Sequence, residues 1–232
     1  MHEPNYGSEE FFYNQFYGQM CSGKNGSGKL AKRAISSTHR KLEHNVSRSN
    51  YNSVLELGGG NGEHLDFVSH NFEKYTIVDL RVCELNGVFK QDLRINSLVA
   101  NAESLPFADN SFDRVVVTCL LHHVDNPEKV FLEIDRVLKV GGAASIFLSC
   151  DPGLLVRLLR FFTTARTARR LGFDGYDLMN ARGHKNHVGS LVTLARYVFR
   201  QREMKESWYP LHIKSWNLNG YLIITLGKKP LS

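Results

Sequence analysis

Three groups of residues have the types and spacing to do chemistry. The first is Glu56-Leu-Gly-Gly-Gly-Asn-Gly62, an acid followed by four glycines in five positions at the end of a short apolar run. Such a turn lets backbone N–H groups approach a ligand where side chains would obstruct it. The second is Asp79, which closes another apolar run 23 residues beyond Glu56 (79 − 56). A βαβ unit delivers a carboxylate to a ribose diol at about that distance. The third is His122, His123 and Asp151, which follow two further apolar runs. Imidazole and carboxylate are the usual groups of general acid and base catalysis.

The surrounding pattern predicts the elements that position them. Val54, Leu55 and Leu57 read as a buried strand, Gly58 to Gly62 as a tight turn, and His64 to Val68 as the start of a helix. Lys74 to Asp79 is a second strand, and a third, from Asn96, runs into a turn holding Pro106. The valines after Asp113 predict a fourth strand, buried on both faces. Pro127 to Leu138 has helical periodicity with proline in its first turn, closed by Gly141-Gly142, and Ala143 to Cys150 is a fifth strand. This alternation predicts a parallel sheet with right-handed crossovers, and ligands bind outside the carboxyl ends of such strands. All the residues singled out above fall at those ends.

The flanks are plainer. Ser8 to Tyr17 reads as an aromatic-rich helix, Gly23 to Lys29 as a loop, and Leu30 to about Asn45 as a basic helix. The loop matches GxxxxGK, but Leu30 stands where a phosphate-binding loop needs Ser or Thr, and no strand precedes it. Asp151 to Phe162 begins a helix with an apolar face and repeated arginines, and His184 opens a helical stretch to about Arg200. Glu203 to Tyr209 and Tyr221 to Gly227 read as two last strands, with Asn219-Gly220 as a turn signal.

Composition narrows the class. The chain has 232 residues, 42% of them hydrophobic, enough for one core without an apolar run of the ~20 residues that span a bilayer. The first residues lack a signal-peptide pattern, so a cytoplasmic location is expected. Cys21, Cys83, Cys119 and Cys150 are far apart, as free thiols in a reducing compartment would be, and no His/Cys spacing suits a metal. The net charge of +6 hints at an anionic partner.

The glycine spacing distinguishes among nucleotide ligands. A dinucleotide fingerprint needs a third glycine where this chain has Glu63. Glu56, Gly58, Gly60 and Gly62 form E-x-G-x-G-x-G, which resembles the first motif of the class I S-adenosylmethionine-dependent methyltransferases. The resemblance implies an α/β fold: a Rossmann-like, seven-stranded, mostly parallel sheet with helices on both faces and an antiparallel last strand. It divides a single domain, 1–232, into an N-terminal helical lid (1–50), a cofactor-binding core (51–150), an acceptor-side helical insertion (151–202) and final strands (203–232). It also implies S-adenosyl-L-methionine as cofactor, with Asp79 on the ribose and Leu80 against the adenine. Asn101-Ala-Glu-Ser-Leu-Pro-Phe107 resembles the family stretch that reads the adenine edge, with Asn101 replacing an acid, Ala102 offering its N–H and Glu103 beside it. Cys119, ending the fourth strand, also falls on the cofactor side, and Tyr13 and Tyr17 are lid candidates.

Methyl transfer is an in-line displacement, and a hydroxyl acceptor must also lose a proton. Leu121-His-His-Val124 and an acid after strand five look like those of small-molecule and sugar O-methyltransferases. That implies His123 or His122 as base, with Asp151 orienting it or anchoring substrate, and we take His123 as the base. Asp151-Pro-Gly153 with His184-Lys-Asn-His187 looks like methyltransferases of bacterial cell-surface polysaccharide pathways. Arg157, Arg160, His184, His187 and Tyr17 are therefore candidate acceptor contacts, with guanidinium groups suited to a phosphate-bearing glycan. The alternatives are N-methylation of a small amine, or a cofactor-binding interaction module without catalysis. The apolar face after Asp151 reads as core or as peripheral contact with a membrane surface. A nucleic-acid substrate is not expected, because the base-methylating N/D-P-P-Y/F stretch is replaced by Leu121-His-His-Val124 and no aromatic platform interleaves the basic residues.

Overall fold

The structure, a computed structural model, describes residues 26–44, 50–85, 87–170 and 176–227. Helix α1 (Gly26–His44) precedes strands β1 (Asn50–Leu57), β2 (Asn71–Asp79), β3 (Ile95–Val99) and β4 (Phe112–Val117). Helix α2 (Pro127–Val137) leads directly into β5 (Leu138–Ser149). Then come α3 (Leu154–Arg160), a π-helical turn (Phe161–Ala165), α4 (Arg166–Arg170), α5 (Tyr176–Gly183), α6 (Val188–Val198), β6 (Met204–Tyr209) and β7 (Tyr221–Leu226). The seven strands lie in the order β3-β2-β1-β4-β5-β7-β6. The first five are parallel, and β7 runs antiparallel between β5 and β6. This is the expected Rossmann-like sheet.

Strand pleating sorts the core into two layers. Leu55, Leu57, Val115 and Val117 face one side, with Phe131 and Ile134 of α2 and Leu191 of α6 in the same cluster. Val54, Tyr75, Ile77 and Val116 face the other, where Leu42 of α1 joins them. The three valines of β4 are fully buried, as their unbroken run predicts.

Three local expectations are corrected. The helix expected from His64 is a single 3₁₀ turn, Leu65–Phe67, because β2 begins at Asn71 and pairs along all of β1, from Asn50↔Asn71 to Leu57↔Val78. That pairing consumes the residues a longer helix would need. Glu43 of α1 reaches the shortened crossover and accepts from Ser69 N (3.2 Å). Gly26 to Lys29, expected in a loop, form the first turn of α1. Gly141 and Gly142 do not close α2; the chain turns extended at Leu138 and both glycines lie inside β5.

Beneath the sheet, α1 is tied down by buried charge. Glu43 accepts from Arg114 Nη2 (2.6 Å) and pairs with His64 Nε2 (3.1 Å), and His64 Nδ1 meets His39 Nδ1 (3.0 Å). Burial opposes ionisation of Glu43, but the His64 hydrogen bond and the Arg114 guanidinium outweigh it and hold its carboxyl at about 2. Burial pushes His39 down to about 4.

Candidate active site

The glycine turn is held open by its backbone geometry. Gly58, Gly60 and Gly62 have φ of 70°, 53° and 80°, in the left-handed region that side chains resist. At Gly58 a Cβ would also lie 2.8 Å from the Cβ of Leu120, in the segment leaving β4. The turn is anchored by Gly58 N to Val78 O (2.8 Å), and Thr118 Oγ1 donates to Gly58 O (2.8 Å).

Asp79 lies beside this turn. Its Oδ2 accepts from Gly60 N (3.1 Å) and its Oδ1 from Arg81 N (3.1 Å). Each oxygen thus keeps a lone pair for a further donor, which is what a vicinal diol requires. Leu80 is 66% exposed next to it, an apolar face available for a flat ring. Glu56 points the other way, beneath the turn. It is fully buried, Tyr75 Oη donates to its Oε2 (2.8 Å), and its Oε1 has no partner among the described residues. Burial raises its carboxyl to about 7.

The other predicted cofactor residues divide. Ala102 is buried, whereas Asn101 is exposed and its Oδ1 accepts from Glu103 N (2.9 Å), so its amide oxygen is engaged in its own turn. Glu103 is better explained as a brace than as a ligand contact: its Oε1 accepts from Asp125 N (3.0 Å) and Asn126 N (2.9 Å) just before α2. Cys119 is exposed past the end of β4.

A second cluster forms beyond β4 and β5. Asp151 follows β5 and is mostly buried. Its Oδ2 pairs with His184 Nδ1 (2.7 Å), and both its oxygens accept from Arg160, at 3.3 and 3.0 Å. Burial works against ionisation, but the His184 and Arg160 contacts hold the carboxyl well below the usual range. His184 stacks on His122, with ring centroids 5.4 Å apart, and His123 meets it edge-on at 4.8 Å. His122 is 1% exposed, its Nδ1 lies 2.8 Å from Asn186 O, and burial lowers it to about 4, leaving it a neutral packing group. His123 is half-buried, with Nδ1 2.9 Å from Gly183 O.

Sequence reasoning overlooked what assembles this cluster. Asn186 Nδ2 donates to Leu121 O (3.0 Å) and Val124 O (2.7 Å), clamping the segment that carries both histidines. The signal was present in His184-Lys-Asn-His187, but an amide's role is invisible until its carbonyl partners are known. The remaining predicted acceptor residues do not converge. Arg157 is exposed on α3, His187 is exposed at the start of α6 without a side-chain cap, and Arg160 is committed to Asp151. Tyr13 and Tyr17 lie outside the described residues. Among the described residues, no three acidic, histidine or cysteine groups are placed to hold a metal.

Comparison with known proteins bears on the fold and the cofactor. Residues 55–146 match the methyltransferase domain family. A ubiquinone/menaquinone biosynthesis C-methyltransferase UbiE of Haemophilus ducreyi is 37% identical over 99 residues, 38% of this chain and 38% of that protein. A demethylmenaquinone methyltransferase of Renibacterium salmoninarum is 35% identical over 96 residues, again 38% of each chain. The matches thus span well under half the length of these curated relatives. Among solved structures, a possible histamine N-methyltransferase of Thermotoga maritima superposes with a TM-score of 0.59 at 18% identity, covering 95% of this chain and 98% of that one. A Burkholderia thailandensis 1,6-didemethyltoxoflavin-N1-methyltransferase, with bound 1,6-didemethyltoxoflavin and S-adenosylhomocysteine, gives 0.57 at 16% identity, with 99% and 93% covered. The methyltransferase fold is therefore plain, and the family match with neighbours of this kind indicates S-adenosylmethionine as the cofactor.

Proposed function

We propose that this chain transfers a methyl group from S-adenosylmethionine to an acceptor that must give up a proton, with His184 as the base and Asp151 as its orienting partner. The observation that carries this reading is the 2.7 Å contact between Asp151 Oδ2 and His184 Nδ1 just beyond the strand ends. A carboxylate on Nδ1 keeps the proton on that nitrogen and leaves the lone pair on Nε2. The same carboxylate stabilises the imidazolium once His184 has taken a proton.

The cofactor fits the residues at hand. Asp79 would take the ribose hydroxyls on its two remaining lone pairs, the glycine turn would give the chain close approach, and Leu80 would cover the adenine. The cofactor supplies an electrophilic methyl on a sulfonium; the protein orients the acceptor, excludes water and accepts the proton. A base of this kind contributes about 10²- to 10⁴-fold. It is needed by a hydroxyl acceptor more than by a neutral amine, so we favour O-methylation of a small molecule or sugar. The phosphate-bearing version has less support, because Arg160 is already neutralised by Asp151.

A second reading, C-methylation of a hydroxylated ring, is favoured by the names of the curated relatives. A ring carbon becomes nucleophilic when its neighbouring hydroxyl is deprotonated, so the same dyad would serve. The test is calorimetric titration with S-adenosylmethionine, followed by methyl transfer to sugars, hydroquinones and small amines. Wild type should bind in the micromolar range, and Asp79→Ala should lose at least about tenfold, the value of one good hydrogen-bonded charge contact. Unchanged affinity in that variant would remove the ribose assignment. Transfer to amines alone would remove the base.

A further inference from the structure

Helix α3 and the turns that follow present an outward face that nothing among the described residues covers. Leu154, Arg157, Leu158, Phe161 and Phe162 recur at i, i+3, i+4, i+7 and i+8, the spacing of one helical stripe, and all five are exposed. Phe161 and Phe162 are 55% and 64% exposed, which is costly for adjacent aromatics in water. A second exposed apolar segment lies alongside. Asn217 receives Leu154 N on its Oδ1 (3.2 Å) and Leu155 N on its backbone oxygen (3.0 Å), bringing its exposed neighbours Trp216 and Leu218 to the start of α3.

The charge around this face is predominantly basic, with Asp177 as the acid against it. Residues 154–170 hold five arginines and no Asp or Glu. Arg160 is spent on Asp151, while Arg157, Arg166, Arg169 and Arg170 are exposed, Arg169 lying over the Phe161 ring (5.8 Å) and 3.9 Å from Asp177. Exposed Leu, Phe and Trp rimmed by arginine is the composition of helices that lie in the interface of an anionic bilayer. A second copy of the chain is a poor occupant, because a two-fold contact would bring these arginines against their own counterparts.

We infer that this face docks on an anionic lipid surface, with Phe161 and Phe162 entering the headgroup boundary and the arginines meeting lipid phosphates. The consequence for the acceptor rests on the methyl-transfer reading. Asp151 lies three residues before α3 and is gripped by Arg160 from within it, so a docked α3 would hold the His184 site at the membrane surface. The acceptor class this suits is a lipophilic or lipid-linked hydroxyl compound.

The test is co-sedimentation of the full chain with phosphatidylcholine vesicles, with and without about a third phosphatidylglycerol. Binding is expected only to the anionic vesicles and should fall steeply at about 0.5 M salt. Phe161→Ser with Phe162→Ser should weaken it at least about tenfold, and Arg166→Glu with Arg169→Glu should weaken it and flatten its salt dependence. Unchanged S-adenosylmethionine affinity would show that these variants fold. Equal binding to both vesicle types, no binding, or binding indifferent to the phenylalanines would overturn the inference. So would a dimer, seen by light scattering, that the phenylalanine pair abolishes without any vesicle binding. Vesicle binding without S-adenosylmethionine binding would instead count against the enzymatic reading and leave the docking surface standing.

Discussion

Among the described residues, two clusters of three histidines each differ in what surrounds them. Under the sheet, His39, His64 and His70 gather around Glu43 and Arg114, all but the partly exposed His39 buried between α1 and the strands. At the strand ends, His122, His123 and His184 gather beside Asp151 and Arg160. Both contain a histidine, an acid and an arginine. In the first, His64 and Glu43 are almost wholly buried, so the cluster can only hold the fold together. In the second, the Asp151-paired imidazole of His184 keeps about a fifth of its side chain exposed, enough for an acceptor to reach. Residue type proposes a base, and exposure decides whether it can act.

The sharpest way to break that contrast is His184→Ala. Turnover should fall by about 10²- to 10⁴-fold with S-adenosylmethionine affinity unchanged, read by single-turnover methyl transfer and calorimetry. His39→Ala in the buried cluster should leave turnover at saturating substrate alone. If His184→Ala kept full activity, the base would have to be His123 or nothing.

Arg114 tests the buried cluster. It is 1% exposed and its guanidinium meets Glu43 at 2.6 Å. Replacing it by Met leaves a buried carboxylate short of its main cation, a loss of about 3–5 kcal/mol by urea unfolding. A loss under about 1 kcal/mol, the range of a surface pair, would mean the cluster is wetter than its burial implies.

Acid should separate the two clusters from their surroundings by sign. Glu43 is held at about 2, below its unfolded value, so its contribution is present at neutral pH and is lost as pH falls from about 4.5 toward 2. His39 and His122, each near 4, bind protons in the unfolded chain first, so they withdraw stability between about 6.5 and 4. Glu56, raised to about 7, acts oppositely: its contribution is intact below about 4.5 and is lost as pH rises toward 7. Glu56→Gln should therefore gain on wild type by up to about 3 kcal/mol between pH 4.5 and 7 in denaturant titrations. A difference that is flat with pH would mean Glu56 is solvated.

These effects mark how much the sequence could disclose. The strand ends were legible because their signals are local: glycines followed by an acid, an acid closing β2, histidines after β4. The parallel sheet followed from alternation, and its antiparallel last strand from the family resemblance. What escaped depends on contacts between distant segments. The shortened crossover after Gly62 arises from the length of β2 pairing with β1, which no window around His64 contains. The pairing of Asp151 with His184 joins residues 33 apart, and the Asn186 clamp joins residues more than 60 apart. The family resemblance names His184 as a candidate acceptor contact but says nothing of which carboxylate meets it.

The smallest effect asks whether Arg160 positions or merely neutralises. Its two terminal nitrogens straddle the Asp151 carboxylate, a fork that fixes the acid's plane as well as its charge. Arg160→Lys keeps the charge and loses the fork; Arg160→Gln loses both. If the fork sets the plane in which Asp151 meets His184, both variants should slow turnover by similar amounts, about three- to tenfold, because a small misplacement of a base is costly. Only the Gln variant should also move the acid limb of the pH–rate profile upward, since Arg160 helps hold the Asp151 carboxyl low. Recovery of full turnover by Lys would show that charge alone matters, and Asp151 would then resemble Glu43 more closely than the contrast between the clusters allows.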